Sequence, residues 1–149
     1  IEKEDGTGNI SYDPLNHEKM VHLRAHKVEQ AQKLYPVSSV FGQDSVNLLI
    51  VSWGGTFGPC REAVTQAQTD GLAVSHLHLR HLYPLPSDVG DILKRFKTVV
   101  AAELNKGQLR QLLRAEYLLD IKGLNKIRGE PFLISDIQTC IDSLVKQER

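Results

Sequence analysis

Cysteine is scarce in this chain: Cys60 and Cys140 are its two thiols in 149 residues. So far apart, they offer neither a disulfide framework nor a Cys-x-x-Cys metal or redox site, and a reducing compartment suits them. Net charge is missing as well. Eighteen basic residues balance 18 acidic ones, which removes the global field that draws proteins to nucleic acid or an anionic membrane. No apolar run approaches the roughly 20 residues of a membrane span, and no charged-apolar-small leader opens the chain. The expectation is a cytoplasmic protein with no nucleic-acid and no membrane partner. Internal repeats and low-complexity tracts are absent too.

What is there suits one α/β domain with a single core, given 41% hydrophobic residues over this length. Ile1 and the polar stretch EKEDGTGN read as the start of a piece cut from something longer. Asp13 before Pro14 predicts a helix start, and Val21, Ala25, Val28, Ala31 and Tyr35 follow at helical spacing until Pro36. Because the rest of that helix is charged, residues 1–36 are expected to be a linker and flanking helix, and 37–149 the folded domain.

Leu48 to Gly71 is the most informative stretch. LLIV is too short for a helix and rich in strand formers, as in a parallel strand buried on both faces. Gly54, Gly55 and Gly58 then break the chain into a helix with Pro59 in its first turn and Asp70-Gly71 at its end. A short strand at Val40-Phe41 precedes this unit, and the pattern repeats after it. AVSHLHL (73–79) is a second strand, followed by an irregular turn at Pro84 and Pro86 and a helix capped by Ser87 with Val89, Ile92, Leu93 and Phe96 on one face. TVVAA (98–102) is a third strand, with a polar turn and a helix burying Leu109, Leu112, Leu113 and Tyr117. An extended segment over 121–127 and a last helix opened by Ser135 and Gln138 complete the reading, with Ile137, Ile141, Leu144 and Val145 as its apolar stripe. Strands alternating with helices predict a mainly parallel sheet with helices on both faces.

The chemistry-bearing groups are sparse. Trp53 stands where a G-x-G-x-x-G ending at Gly58 needs its first glycine, and His76, His78 and Arg80 occupy the region of a ribose-binding carboxylate, so a tight turn is the better reading. His76 and His78 share a strand face with His81 nearby, but a third ligand is not identifiable, and no metal is expected. Three strand ends should lie along one edge: Gly54, Gly55 and Thr56; Arg80; and Glu103 with Asn105 and Gln108. They are the candidates for binding or subunit contact, the plainer reading being solvated loops with Arg80 paired to Glu103. No nucleophile, base or P-loop lysine is arranged for catalysis, so no catalytic residue is assigned.

At these residues the chain resembles a known family. NLLIVSWGGTFGPCREAV, HLHLRHLYPLP, VVAAELNKGQLRQLLRAEYL and GLNKIRGEPF, in this order, resemble the C-terminal portion of the α subunit of 2-oxoacid:ferredoxin oxidoreductases, most of all the 2-oxoglutarate type. GNISYDPLNHEKMVHLRAHKV is similar to the segment that follows that subunit's thiamine-pyrimidine domain. The likeness is nearly full length. It implies a three-layer α/β/α sandwich on a mainly parallel sheet of about five strands, like a transketolase C-terminal domain. It also implies a parent enzyme that oxidatively decarboxylates 2-oxoglutarate to succinyl-CoA with thiamine diphosphate and magnesium, passing electrons through iron-sulfur clusters to ferredoxin.

The family's thiamine-binding glycine-aspartate motif and cluster cysteines belong to other domains or subunits and have no counterpart here. The resemblance therefore implies a piece that holds no cofactor and performs no turnover alone. Its partners would be the remainder of the α subunit and the β subunit, with ferredoxin and coenzyme A serving the whole complex. The alternative is a nucleotide or coenzyme A binding module that uses the strand-end cleft with Arg80 as anion partner.

Overall fold

The computed structural model describes residues 1–147. Its centre is a five-stranded sheet in the order β3-β5-β4-β6-β7, where β3 is Val40–Phe41, β4 Leu48–Trp53, β5 Val74–Leu79, β6 Thr98–Glu103 and β7 Ile121–Asn125. The last four are mutually parallel, and β3 runs antiparallel to β5 at the edge. The parallel strands are near-continuous apolar runs because helices cover both faces. Leu49, Val51, Leu77 and Ala101 pack under α3 (Val89–Leu93) and α4 (Gln108–Tyr117). Leu48, Ile50, Val74 and Val100 pack under α2 (Phe57–Thr69) and α5 (Ile134–Gln147). The expected three-layer α/β/α sandwich is therefore present, and the short strand at Val40–Phe41 with it.

The first helix, α1 (Pro14–Gln30), starts where the sequence places it: Asp13 Oδ1 accepts the Leu15 N–H at 3.0 Å, with Pro14 at the first helical position. It buries no residue. Its end differs from the periodicity, because the chain tightens into a 3-10 turn over Ala31–Leu34 before Pro36. The polar stretch ahead of it is not featureless either. Strands β1 (Glu2–Lys3) and β2 (Ile10–Ser11) form a small hairpin against α1, tied by Asn16 Nδ2 to Lys3 O at 3.0 Å and by an Arg24–Glu2 ion pair at 2.7 Å. No helix among the described residues is long and apolar enough to cross a membrane.

Two expected caps belong to neighbouring residues instead. Asp88, not Ser87, flanks α3, and its carboxylate accepts the Ser38 N–H at 2.6 Å and the Ser38 hydroxyl at 2.8 Å. Ser135 lies inside α5, where its carbonyl accepts the Thr139 hydroxyl, while the Asp136 carboxylate accepts the Leu133 N–H at 2.9 Å. Asp88 makes no side-chain bond to the helix it flanks, and only Asp136 serves its own helix start.

Gly90 makes the packing of α3 on α4 testable. A Cβ there would lie 2.7 Å from two ring carbons of Tyr117. Overpacking of this kind costs about 1–3 kcal/mol, against a helix-propensity gain of about 1. Gly90→Ala should thus lower stability, and in a Tyr117→Ala background the same change should raise it. Urea unfolding of the four proteins reads the sign, and a Gly90→Ala effect of equal sign in both backgrounds would disprove the contact.

Candidate functional site

The parallel strands β5, β4, β6 and β7 all point their carboxyl ends at one edge, the position where ligands and partners of open α/β sheets dock. At the end of β4 the chain turns through Gly54, whose φ of +56° is in the left-handed region, into a 3-10 turn over Gly54–Thr56 and then α2. Thr56 is buried, and its hydroxyl closes that turn, donating to Trp53 O at 2.8 Å and accepting from Trp53 N at 3.1 Å. Gly54 and Gly55 are exposed, with open space where a side chain would stand.

At the end of β6 the polar groups turn inward. Glu103 is 0% exposed, and its two carboxylate oxygens accept the N–H groups of Leu109 at 2.7 Å and Arg110 at 2.9 Å. These are unsatisfied donors of the first turn of α4, where the helix dipole also favours a negative charge. Asn105 Oδ1 accepts the Gly107 N–H at 2.7 Å and the Gln108 N–H at 3.2 Å, folding the loop back onto the helix. Gln108 itself is exposed.

The seven candidate residues do share one edge, but the pairing of Arg80 with Glu103 that belongs to the plainer reading does not occur. Strand β4 lies between β5 and β6, which separates those strands by about 10 Å. Glu103 has spent its oxygens on α4. Thr56 and Asn105 are likewise parts of their turns, leaving Gly54, Gly55, Arg80 and Gln108 outermost.

Arg80 opens instead onto a cleft of about 390 Å³ on the far side of β5. Ser39, Phe57, Arg61, His78 and His81 contribute to its walls, and the six other candidates do not. Arg61 lies with its guanidinium 3.8 Å from the centre of the Phe41 ring and 5.2 Å from that of Phe57. Sequence reasoning did not single out Arg61. Its spacing from Phe57, four residues along α2, was the available signal.

Behind this cleft lies a buried polar cluster. Register pairs Ser52 with His78 and Ile50 with His76, so one hydroxyl sits between two imidazoles: Ser52 Oγ is 2.7 Å from His76 Nε2 and 2.8 Å from His78 Nδ1. Burial, then the charges of Arg61 and His78, push the His76 pKa down to about 3. His78 is lowered by burial and by Arg80 and Arg61. Burial raises the Cys60 thiol to about 12, against the opposing effect of a hydrogen bond with Ser52. At neutral pH the cluster therefore presents neutral imidazoles and a protonated thiol, which is a core network and not a nucleophile with its base. His81 lies near His78 on the wall of the same cleft but forms no shared metal site with it among the described residues. Its ring stacks on Tyr35 at 3.9 Å, and no group of three or more metal-ligating side chains occurs among the described residues.

Comparison with known proteins agrees with this architecture. The chain is 41% identical over 140 residues to 2-oxoglutarate oxidoreductase subunit KorA of Mycobacterium tuberculosis, covering 92% of this chain and 21% of that protein. It is 30% identical to the α subunit of 2-oxoacid:ferredoxin oxidoreductase 1 of Aeropyrum pernix, covering 99% of this chain and 24% of that protein. It therefore spans between a fifth and a quarter of the length of these curated relatives.

Among solved structures it superimposes with a TM-score of 0.88 on a 2-oxoglutarate:ferredoxin oxidoreductase from Magnetococcus marinus with 2-oxoglutarate, coenzyme A and succinyl-CoA bound. That match is 28% identical and covers 97% of this chain and 26% of the other. A split-gene transketolase, at 16% identity and a TM-score of 0.58 over 76% of this chain and 42% of the other, shares the fold. Residues 47–143 match the model of pyruvate:ferredoxin oxidoreductase core domain II, and the chain belongs to that family.

Proposed function

We propose that this chain is a non-catalytic assembly domain of a 2-oxoglutarate:ferredoxin oxidoreductase α subunit, which holds cofactor-bearing polypeptide in register for the conversion of 2-oxoglutarate to succinyl-CoA. The observation that carries this reading is how the strand-end polar groups are used: Thr56, Glu103 and Asn105 are committed to their own turns, which makes the edge rigid and unreactive. The 41% identity to KorA supports the substrate class.

The partners are the remainder of the α subunit and the β subunit, with ferredoxin as electron acceptor and coenzyme A as acyl acceptor of the whole complex. Iron-sulfur clusters do not fit this chain, since a cluster takes four thiolates and the sequence holds two thiols, with Cys60 kept protonated by burial. Thiamine diphosphate with its magnesium and the clusters then belong to other polypeptide, and no step of the reaction is assigned to a residue here.

Gly55 provides the test. Exposed and surrounded by open space, it should accept a side chain without cost to the domain, so Gly55→Leu should leave the melting temperature of the 149-residue chain within about 2 °C, a change of under about 1 kcal/mol. In the intact enzyme the same substitution should reduce recovery of assembled α and β subunits and the specific activity together, at least fivefold. Unchanged assembly and turnover would remove this edge from the interface. Measurable 2-oxoglutarate oxidation by the purified chain alone would end the non-catalytic reading.

A further inference from the structure

Hydrogen-bond donors share the walls of the cleft beside β5 with apolar side chains. Arg61 and Arg80 bring guanidiniums to it, Ser39 a hydroxyl, and His78 and His81 imidazoles, while no Asp or Glu among the described residues lines it. In a chain with equal numbers of acidic and basic residues, this is local segregation of charge. Asp88, whose carboxylate binds Ser38 of the cleft wall, lines a separate cavity of about 70 Å³.

Arg61 is held in place by Phe41 and Phe57 rather than by a counter-ion. Its Nε is buried without a hydrogen-bond partner, a state that asks for an acceptor from outside. Arg80 is exposed and makes no ion pair among the described residues.

The buried cluster determines what His78 shows to this cleft. Ser52 has one hydroxyl proton and stands between His76 Nε2 and His78 Nδ1; where that proton goes to one ring, the other ring donates to the oxygen. His76 Nδ1 is buried with no partner. An orphaned buried N–H is rarer than an under-satisfied acceptor, so His76 carries its proton on Nε2 and donates it to Ser52. The Ser52 hydroxyl then donates to His78 Nδ1, and His78 keeps its proton on Nε2, at the opposite edge of the ring. His78 thereby adds a neutral N–H donor to the two guanidiniums.

We propose that this cleft binds a phosphate group, held by Arg61, Arg80 and the Nε2–H of His78. The donors come from α2, from β5 and from the residue after β5, so they reach one cleft from separate elements. That suits a tetrahedral anion with several oxygens better than a planar carboxylate, which a single guanidinium fork satisfies. The volume of about 390 Å³ exceeds what the anion alone needs and falls within the range of about 300–1,000 Å³ typical of small-ligand pockets, leaving room for an ester. This goes beyond the assembly role and does not depend on it. It also narrows the nucleotide or coenzyme A reading of the sequence to phosphate chemistry, keeps Arg80 as an anion partner, and moves the site from the shared strand-end cleft to the outer side of β5.

The test is a titration of inorganic phosphate into the 149-residue chain at constant ionic strength, with chloride as the control, followed by 15N NMR of the His78 ring nitrogens and Arg61 Nε. His78 should be in the Nε2–H form before addition, and both signals should move saturably with phosphate. Arg80→Ala, at an exposed position, and Arg61→Lys, which keeps the charge but loses the fork, should each weaken binding at least tenfold. ADP and succinate separate the possible occupants. Competition by ADP with tighter binding identifies an ester's phosphate, and binding of phosphate but not ADP identifies the free ion; both support the site. An Nδ1–H tautomer at His78, succinate binding as tight as phosphate, or no saturable phosphate shift would overturn it.

Discussion

Replacing Glu103 with alanine should destabilise the domain by about 3–5 kcal/mol, the cost of removing one partner from a buried charged hydrogen-bond set. The side chain is 0% exposed, and its carboxylate is the acceptor for the Leu109 and Arg110 N–H groups. Alanine leaves both donors buried near the first turn of α4 and removes the negative charge that the helix dipole favours. Glu103→Gln retains an acceptor oxygen but not the charge and should cost about half as much. For a domain of this length the alanine variant should melt roughly 10 °C lower. Urea denaturation gives the free energies directly. A loss under about 1 kcal/mol for alanine would mean that α4 is held by its apolar face, Leu109 and Leu113, and not by its amino end.

Acid should weaken the fold well above the range in which carboxylates titrate. The pKa of His76 is about 3 in the folded protein, against an ordinary value of 6.5 for the imidazole. Between those values the unfolded chain binds a proton that the folded protein refuses, so the contribution is fully present above pH 6.5 and is lost as pH falls through the window. The slope approaches 1.4 kcal/mol per pH unit, giving a loss of about 2 kcal/mol by pH 5. His78, also lowered, adds in the same direction. Protonation would place a cation beside Arg61 and a new, unpartnered N–H at the buried His76 Nδ1. Unfolding free energies at pH 7.5, 6.0 and 5.0 should show this slope in the parent protein and a much shallower one in His76→Gln. Equal slopes would place the acid sensitivity elsewhere.

The parts of the fold that were legible in the sequence are those whose cause is local. LLIV followed by glycines and a proline is a buried strand turning into a helix whatever surrounds it, and β4, the turn at Gly54–Thr56 and α2 follow that reading closely. Alternation in AVSHLHL predicted both β5 and the shared face of His76 and His78. At two helix starts local reading failed. Ser87 and Ser135 both fit cap patterns, but Asp88 stands at the start of α3 with its carboxylate turned to Ser38, and Asp136 accepts the Leu133 N–H at the start of α5. The hairpin at the start was hidden because two-residue strands are too short to show alternation, and its partners are charged side chains of α1 rather than an apolar core.

The candidate site divides in the same way. Periodicity and turn chemistry were enough to put Gly54, Gly55, Thr56, Arg80, Glu103, Asn105 and Gln108 at the ends of parallel strands, because strand direction and the order of helix and strand are written along the chain. Which of them meet was decided only in three dimensions. The spatial order β5-β4-β6 departs from chain order and sets a whole strand between Arg80 and Glu103. Residues distant in sequence, Phe41 and Arg61, or Ser52 and His76, become neighbours instead. Hydrophobic periodicity specifies which face of an element is buried, but a polar side chain takes the partner that packing delivers to it, and that choice carries no signature in the local sequence.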